Sequence, residues 1–216
     1  MGRIPVLFRI VRAAFDALFY LVIRREYVGL ENIPDEPPYI LVTNHLSLLD
    51  TPVLLTICRH TTRALVAAKY RRNPLYASLL ALMGTVWVHR GKVDRGALQG
   101  ALDALNRGQV LGLAPEGTRA RACTHGAYAL QRGKTGAAYL ATRADVPIVP
   151  VALTGTEKIK QNLPRLRRTP VRIVVGKPFR LPESGRVRGE KLRQYTDLIM
   201  HRIAELLPEE YRGVYA

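Results

Sequence analysis

The chain has 216 residues, 48% apolar and 23% charged, enough to bury the core of one ordinary domain and too apolar for a disordered chain. Lys and Arg number 33 against 17 Asp and Glu, a formal charge of +16, which points to anionic partners: nucleic acid, an anionic membrane surface or acidic substrates. Cys58 and Cys123, the two cysteines, are far apart and without metal-ligand spacing, which fits a reduced, cytosol-facing compartment.

The charge is unevenly placed. Residues 1–25 carry five Arg and one Asp, and residues 156–193 carry twelve Lys or Arg and three Glu, so together they hold +13 of the +16. A solvated, Arg-rich surface is the plain alternative to an anion-binding role.

The N-terminal run IPVLFRIVRAAFDALFYLVI is broken by Arg9, Arg12 and Asp16. A spanning helix needs about 20 predominantly apolar residues, so this is not a clean span. No small-residue cleavage site follows it, as a signal peptide would require. The three charges sit on one helical stripe whose other faces are Leu, Ile, Val and Phe, the pattern of a helix lying in a membrane interface. Packing on the protein's own core is the competing reading. Residues 1–27 are therefore set apart as an amphipathic helix, and residues 28–216 as the main domain.

Beyond it, short apolar runs alternate with helical patterns. Strands are predicted at Tyr39–Thr43, Arg63–Ala68, Thr85–His89, Val110–Ala114, Pro147–Leu153 and Val171–Val175. Helices are predicted at Leu48–Cys58, Pro74–Met83, Val93–Asn106, Thr135–Arg143 and Gly189–Leu207, the last with Leu192, Tyr195, Ile199, Ile203 and Leu206 on one face. The expectation is a single α/β domain with a mixed, mostly parallel sheet covered by helices. In such sheets ligands gather at the carboxyl ends of the strands.

Two polar clusters fall at those ends. The first is Asn44-His45-Leu46-Ser47-Leu48-Leu49-Asp50, directly after YILVT. An imidazole can remove a proton near neutral pH, and a carboxylate can fix its tautomer and stabilise the imidazolium. Residues five apart on one helix face about 140° away from each other. If His45 lies in a turn and the helix starts near Leu48, Asp50 can point back at it. Ser47-x-x-Asp50 is also a capping box, and the two readings are compatible.

The second cluster, Ala114-Pro115-Glu116-Gly117-Thr118-Arg119, follows VLGLA. Gly permits close backbone approach or positive φ, Thr offers a hydroxyl, and Arg a planar fork for a phosphate. Glu116 could hold that fork or bond a substrate hydroxyl; a Pro-Gly turn with an exposed ion pair is the alternative. A third cluster, VWVHRG, ends a strand in Arg90, a second candidate phosphate ligand, with His89 on the opposite face. A fourth, VPIVPVAL, carries Pro147 and Pro150, which suggest an edge strand or a strand start and the wall of a pocket.

These four blocks, in this order, resemble the glycerolipid acyltransferase family typified by 1-acyl-glycerol-3-phosphate acyltransferases. VGLENIP, QRGKTGAAYLA and a C-terminal Tyr-Arg-Gly agree, and the likeness runs over about Val28–Val175, roughly two thirds of the chain. The resemblance implies transfer of a fatty acyl group from acyl-CoA or acyl-carrier protein to a free hydroxyl, with lysophosphatidic acid the favoured acceptor. Glycerol 3-phosphate or another lysophospholipid would use much the same groups. It implies His45 as the base, Asp50 as its orienting carboxylate, and Arg90, Glu116, Gly117 and Arg119 at the acceptor phosphate, with Thr118 beside them. Asn44 would steady the turn or the oxyanion. No metal or cofactor is implied beyond the acyl donor, and the site would work at the cytoplasmic face of a membrane.

Two departures stand out: Ala114 and Ala120 replace the family's usual Phe or Val and Ser, and the loop Arg121–Ala129 is long and carries His125. His125 reads as a loop residue. Nucleic-acid binding has no motif or interleaved aromatics to support it, and a Ser hydrolase would need G-x-S-x-G. The strongest non-enzyme rival is a catalytically inactive lipid-binding relative.

Overall fold

In the computed structural model, residues 6–72, 77, 78, 80, 84–89, 94–120 and 128–216 are described. The predicted helix Pro74–Met83 lies largely outside them, as do Arg90 and His125.

A seven-stranded sheet organises the molecule. In chain order its strands are β1 (Ile23–Val28), β2 (Ile40–Thr43), β3 (Thr62–Ala67), β4 (Val86–Val88), β5 (Val110–Leu113), β6 (Ile148–Thr154) and β7 (Thr169–Val175). Their spatial order is β1-β7-β6-β2-β5-β3-β4. β6, β2, β5, β3 and β4 run parallel, β7 is antiparallel to β6, and β1 is parallel to β7. The mixed, mostly parallel α/β domain expected from the sequence is therefore the fold. The carboxyl ends of five strands share one edge of the sheet.

Both faces of the central strands are covered, which is why they read as unbroken apolar runs. Successive residues alternate between two cores. Ile40, Val42, Leu111 and Ile148 join Leu140, Ile199 and Ile203 on one face. Tyr39, Leu41, Val149 and Val151 join Phe19, Val53 and Ile173 on the other. The first face packs helices α3 (Arg95–Asn106), α4 (Gly136–Ala144) and α6 (Gly189–Ala204). The second packs α1 (Val6–Val22) against α2 (Asp50–Leu55). Between β6 and β7 the chain forms helical turns, including α5 (Ile159–Asn162), and α7 (Glu209–Arg212) follows α6.

Residues 23–27, grouped with the N-terminal helix in the sequence reading, instead form most of β1. IRREYV has no apolar run because an edge strand leaves Arg24, Glu26 and Val28 exposed. Its register sets Glu26 opposite Arg172, and those side chains pair at 3.0 Å.

One face of α1 packs on the protein's own core. Phe15 and Phe19 stack on each other and pack on the second core. Of the polar stripe, Arg12 is half-buried and donates to the Cys58 carbonyl at 2.9 Å, while Arg9 and Asp16 are exposed, Asp16 paired with Arg25. The outward face is left apolar, with Val6, Ile10, Leu18 and Leu21 exposed. Among the described residues no helix is long and apolar enough to cross a membrane.

Neither proline of VPIVPVAL marks an edge, because β6 is paired on both sides. Pro147 precedes β6, and its carbonyl accepts the Ile40 N–H at 2.9 Å. Pro150 aims its carbonyl at the Gly176 N–H, 2.8 Å away, just past the last β6–β7 register pair, Val151 with Val175. Its missing N–H therefore falls where the β7 ladder has ended and costs no ladder bond.

Candidate active site

β2 ends at Thr43, and Asn44 carries its pairing one step further. The Asn44 amide donates to the Leu153 carbonyl and accepts the Leu153 N–H, both at 2.8 Å, imitating a strand residue against β6. This side chain is buried and fully engaged, so it steadies the turn rather than facing an oxyanion. The chain then turns, and His45 projects at the carboxyl edge.

Asp50 opens α2, two residues later than predicted, and is 2% exposed. Its Oδ2 sits 2.7 Å from His45 Nδ1 and accepts the N–H groups of Leu46 at 2.7 Å and Ser47 at 2.8 Å. Its Oδ1 accepts the hydroxyl of Thr156 at 2.5 Å. Half of the capping box is present, since the carboxylate reaches back to the Ser47 N–H. The Ser47 hydroxyl accepts from Leu49 at 3.2 Å. A carboxylate already accepting two N–H donors offers only acceptor capacity, so Nδ1 carries the imidazole proton. The Nε2 lone pair is left to receive one.

The turn after β5 holds His45 from both sides. Glu116 is 1% exposed; its Oε1 accepts the His45 N–H at 3.1 Å and its Oε2 the Gln131 N–H at 3.0 Å. The Ala120 N–H returns to the His45 carbonyl at 2.7 Å. Burial pushes the Glu116 carboxyl up to about 7, aided by the charge of Asp50 and opposed by its two N–H donors. Its two oxygens hold backbone N–H groups, which corrects the expected pairing of Glu116 with Arg119. Gly117 lies between them at φ +66°, and Arg119 is exposed with no ion pair among the described residues. Thr118 is half-buried with its hydroxyl toward the Arg119 carbonyl.

The Lys134 side chain covers the open face of Gly117. A Cβ there would come within 2.9 Å of Lys134 Cδ and 3.2 Å of its Nζ. The Lys134 ammonium therefore lies over this turn, anchored by its backbone N–H to the Pro115 carbonyl at 2.8 Å.

A cavity of about 260 Å³ opens between α2, α4 and the strands β2, β5 and β3. Its walls are apolar, with Leu41, Leu54, Leu65, Leu113 and Leu140 among them. His45, Asp50, Gly117, Lys134 and His89 also line it. Neither Pro147 nor Pro150 does, because β6 lies on the far side of β2 from β5 and β3. That corrects their assignment to the pocket wall. Cys58 lines the cavity from a buried position, with burial pushing its thiol up to about 11. His89 makes a second His–Asp pair, 3.0 Å from Asp94, which caps α3 through the Ala97 N–H at 3.0 Å.

Sequence reasoning missed Thr156 and Lys134 as site residues. Thr156 is 106 positions from Asp50, but Gly155-Thr156 follows the carboxyl end of β6 directly, where a site residue is expected. Gly155 is obligatory there: at φ +92°, a Cβ would fall 2.1 Å from the Pro170 carbonyl oxygen.

Known proteins resemble this chain in sequence and in fold. Residues 24–154 match the sequence model of a family described as Acyltransferase. The chain is 28% identical over 193 residues to the chloroplastic 1-acyl-sn-glycerol-3-phosphate acyltransferase BAT2 of Brassica napus, covering 86% of this chain and 52% of that protein. It is 31% identical over 140 residues to the 1-acyl-sn-glycerol-3-phosphate acyltransferase of Saccharomyces cerevisiae, covering 61% and 43%. The chain thus spans about half the length of the curated relatives it matches. The crystal structure of the Thermotoga maritima 1-acyl-sn-glycerophosphate acyltransferase PlsC superposes with a TM-score of 0.69 at 25% identity, covering 92% of this chain and 79% of that one.

Proposed function

The chain belongs to the acyltransferase family, and from that premise we propose that it moves a fatty acyl group from acyl-CoA or acyl-carrier protein to the free hydroxyl of 1-acyl-glycerol 3-phosphate, giving phosphatidic acid. The observation that carries the reading is the His45–Asp50 pair at 2.7 Å, with both residues lining an apolar cavity.

In this mechanism Nε2 of His45 takes the acceptor hydroxyl proton as its oxygen attacks the thioester carbonyl carbon. Asp50 holds the tautomer and offsets the imidazolium charge. The tetrahedral intermediate collapses, the C–S bond breaks, and the leaving sulfur takes the proton back from Nε2. No acyl-enzyme forms. The apolar cavity suits an acyl chain, which leaves water no stable place beside it.

Arg119 suits the acceptor phosphate, since its guanidinium is exposed and without an acidic partner among the described residues. Lys134 offers a second cation at the cavity mouth, and Arg90 is the further candidate from the sequence. The apolar outer face of α1 suits a peripheral position on the cytoplasmic face of an anionic membrane, where such an acceptor resides. The test is acyl transfer across a panel of lyso-acceptors with both thioester donors. Transfer to 1-acyl-glycerol 3-phosphate is the expected result; none to any phosphate-bearing acceptor would defeat the reading.

A further inference from the structure

The segment from Gly155 to Arg168 leaves the carboxyl end of β6 and returns to β7. Its base is fixed: Ile159 is buried in the second core, Thr156 holds Asp50, and Glu157 accepts the hydroxyl of Tyr211 at 2.8 Å. Its tip is not. Residues 163–168 are all exposed, and Leu166 is 94% exposed.

Leu166 is also in the left-handed region, at φ 50°. A branched side chain is strained there, and Gly or Asn would close the same turn at lower cost. Folding therefore gives no reason for a leucine at this position. Around it, the eleven residues Lys158–Arg168 contain five cations and no acid. An apolar tip with a basic collar is the chemistry that fits an anionic bilayer.

Its place in the fold adds to this. The tip stands at the sheet edge where β2, β5 and β6 end, the edge that carries His45. Arg168 ties it to the start of β1, donating to the Ile23 carbonyl at 2.9 Å, with its guanidinium 5.1 Å from the ring of exposed Tyr20. Tyr20 and Leu21 on α1 thus lie beside the same platform.

We propose that Leu163–Arg168 is a membrane-docking finger: Leu163 and Leu166 enter the headgroup region of an anionic bilayer while Arg165 and Arg167 bind its lipid phosphates. The finger turns the catalytic edge toward the lipid and is joined through Thr156 to Asp50. It rests on the proposed action at a lipid acceptor, but it assigns a surface that α1 does not supply.

The test is sedimentation of the full chain with vesicles of phosphatidylcholine, with and without phosphatidylglycerol. Leu163→Ser combined with Leu166→Asn is expected to weaken partition into the anionic vesicles about tenfold or more. Arg165→Gln combined with Arg167→Gln is expected to weaken it to a similar degree, and to leave residual binding to phosphatidylcholine unchanged. Because Asn tolerates the left-handed turn, Leu166→Asn alone should unfold no earlier than the parent. Turnover of a short-chain, monomeric acceptor should be unchanged, while turnover of a vesicle-embedded acceptor falls.

Parent-like vesicle binding by both double variants overturns the finger, whatever the enzyme's activity. So does an equal loss of turnover on monomeric and embedded acceptors, which would place the segment in catalysis. A raised KM for acyl-carrier protein with vesicle binding intact would make the surface a protein-docking site and also defeat the proposal. If the parent transfers no acyl group yet the variants lose vesicle binding, the finger stands and the proposed function falls.

Discussion

Glu116 accepts the backbone N–H of His45 at 3.1 Å, so this carboxylate fastens the histidine turn. Four residues on, Ala120 donates to the His45 carbonyl, and the imidazole is thereby fixed to the β5 turn on both sides of its Cα. The other Glu116 oxygen holds Gln131, three residues before Lys134. One buried carboxylate thus joins the β2 turn, the β5 turn and the strap leading into α4.

Glu116→Gln keeps the shape but sets an amide donor against one of two backbone N–H groups. Leaving a buried donor unsatisfied costs about 1–3 kcal/mol. Chemical denaturation should show a loss of that size, and kcat should fall more than KM rises, since His45 is displaced rather than a ligand removed. A raised acceptor KM with unchanged stability would instead make Glu116 a direct substrate ligand.

The same carboxyl gives stability a pH signature. Burial lifts it to about 7, above the ordinary unfolded value of about 4.3. Its protonated form is favoured by folding, so its contribution is fully present below about pH 4.3 and is lost as pH rises through about 7. The stability difference between parent and Glu116→Gln should therefore shrink across that window. A difference independent of pH would contradict the assignment.

Thr156→Val removes the hydroxyl from Asp50 Oδ1 at nearly constant volume, leaving Leu46, Ser47 and His45 on the other oxygen. A hydrogen bond to a charged group contributes about 1.5–3 kcal/mol. We expect kcat to fall about tenfold or more with KM for both substrates nearly unchanged. Parent-like kcat would show that Thr156 does not position the pair.

Arg119→Ala touches an exposed side chain without an ion pair among the described residues, so unfolding should shift by no more than about 0.5 kcal/mol. The KM for a phosphate-bearing acceptor should rise at least tenfold, and the KM for the acyl donor little. An unchanged acceptor KM would remove Arg119 from the phosphate site.

Much of this was legible in the sequence because apolar runs and punctuation were local. β2, β5 and β6 appear within a residue or so of their predicted ends, and Asp50 reaches His45 because His45 lies in the turn and the helix starts after it, at Asp50 rather than near Leu48. β1 was missed because an edge strand with exposed Arg24 and Glu26 shows no apolar run. Glu116 was misassigned because nearness to Arg119 in sequence suggested an ion pair, whereas the turn at Gly117 separates a buried side chain from an exposed one. Pro150 misled because a proline opposite the end of a ladder sits in a central strand at no cost. Thr156 comes to Asp50 only through the sheet order that sets β6 beside β2.

The most direct test of the central claim is acyl transfer by His45→Ala, measured with acyl-CoA and with acyl-carrier protein donors on 1-acyl-glycerol 3-phosphate. Loss of the general base should lower kcat by about 10²–10⁴-fold, while the variant unfolds at the parent's denaturant midpoint and still binds the acceptor. Turnover within a few-fold of the parent would contradict the account.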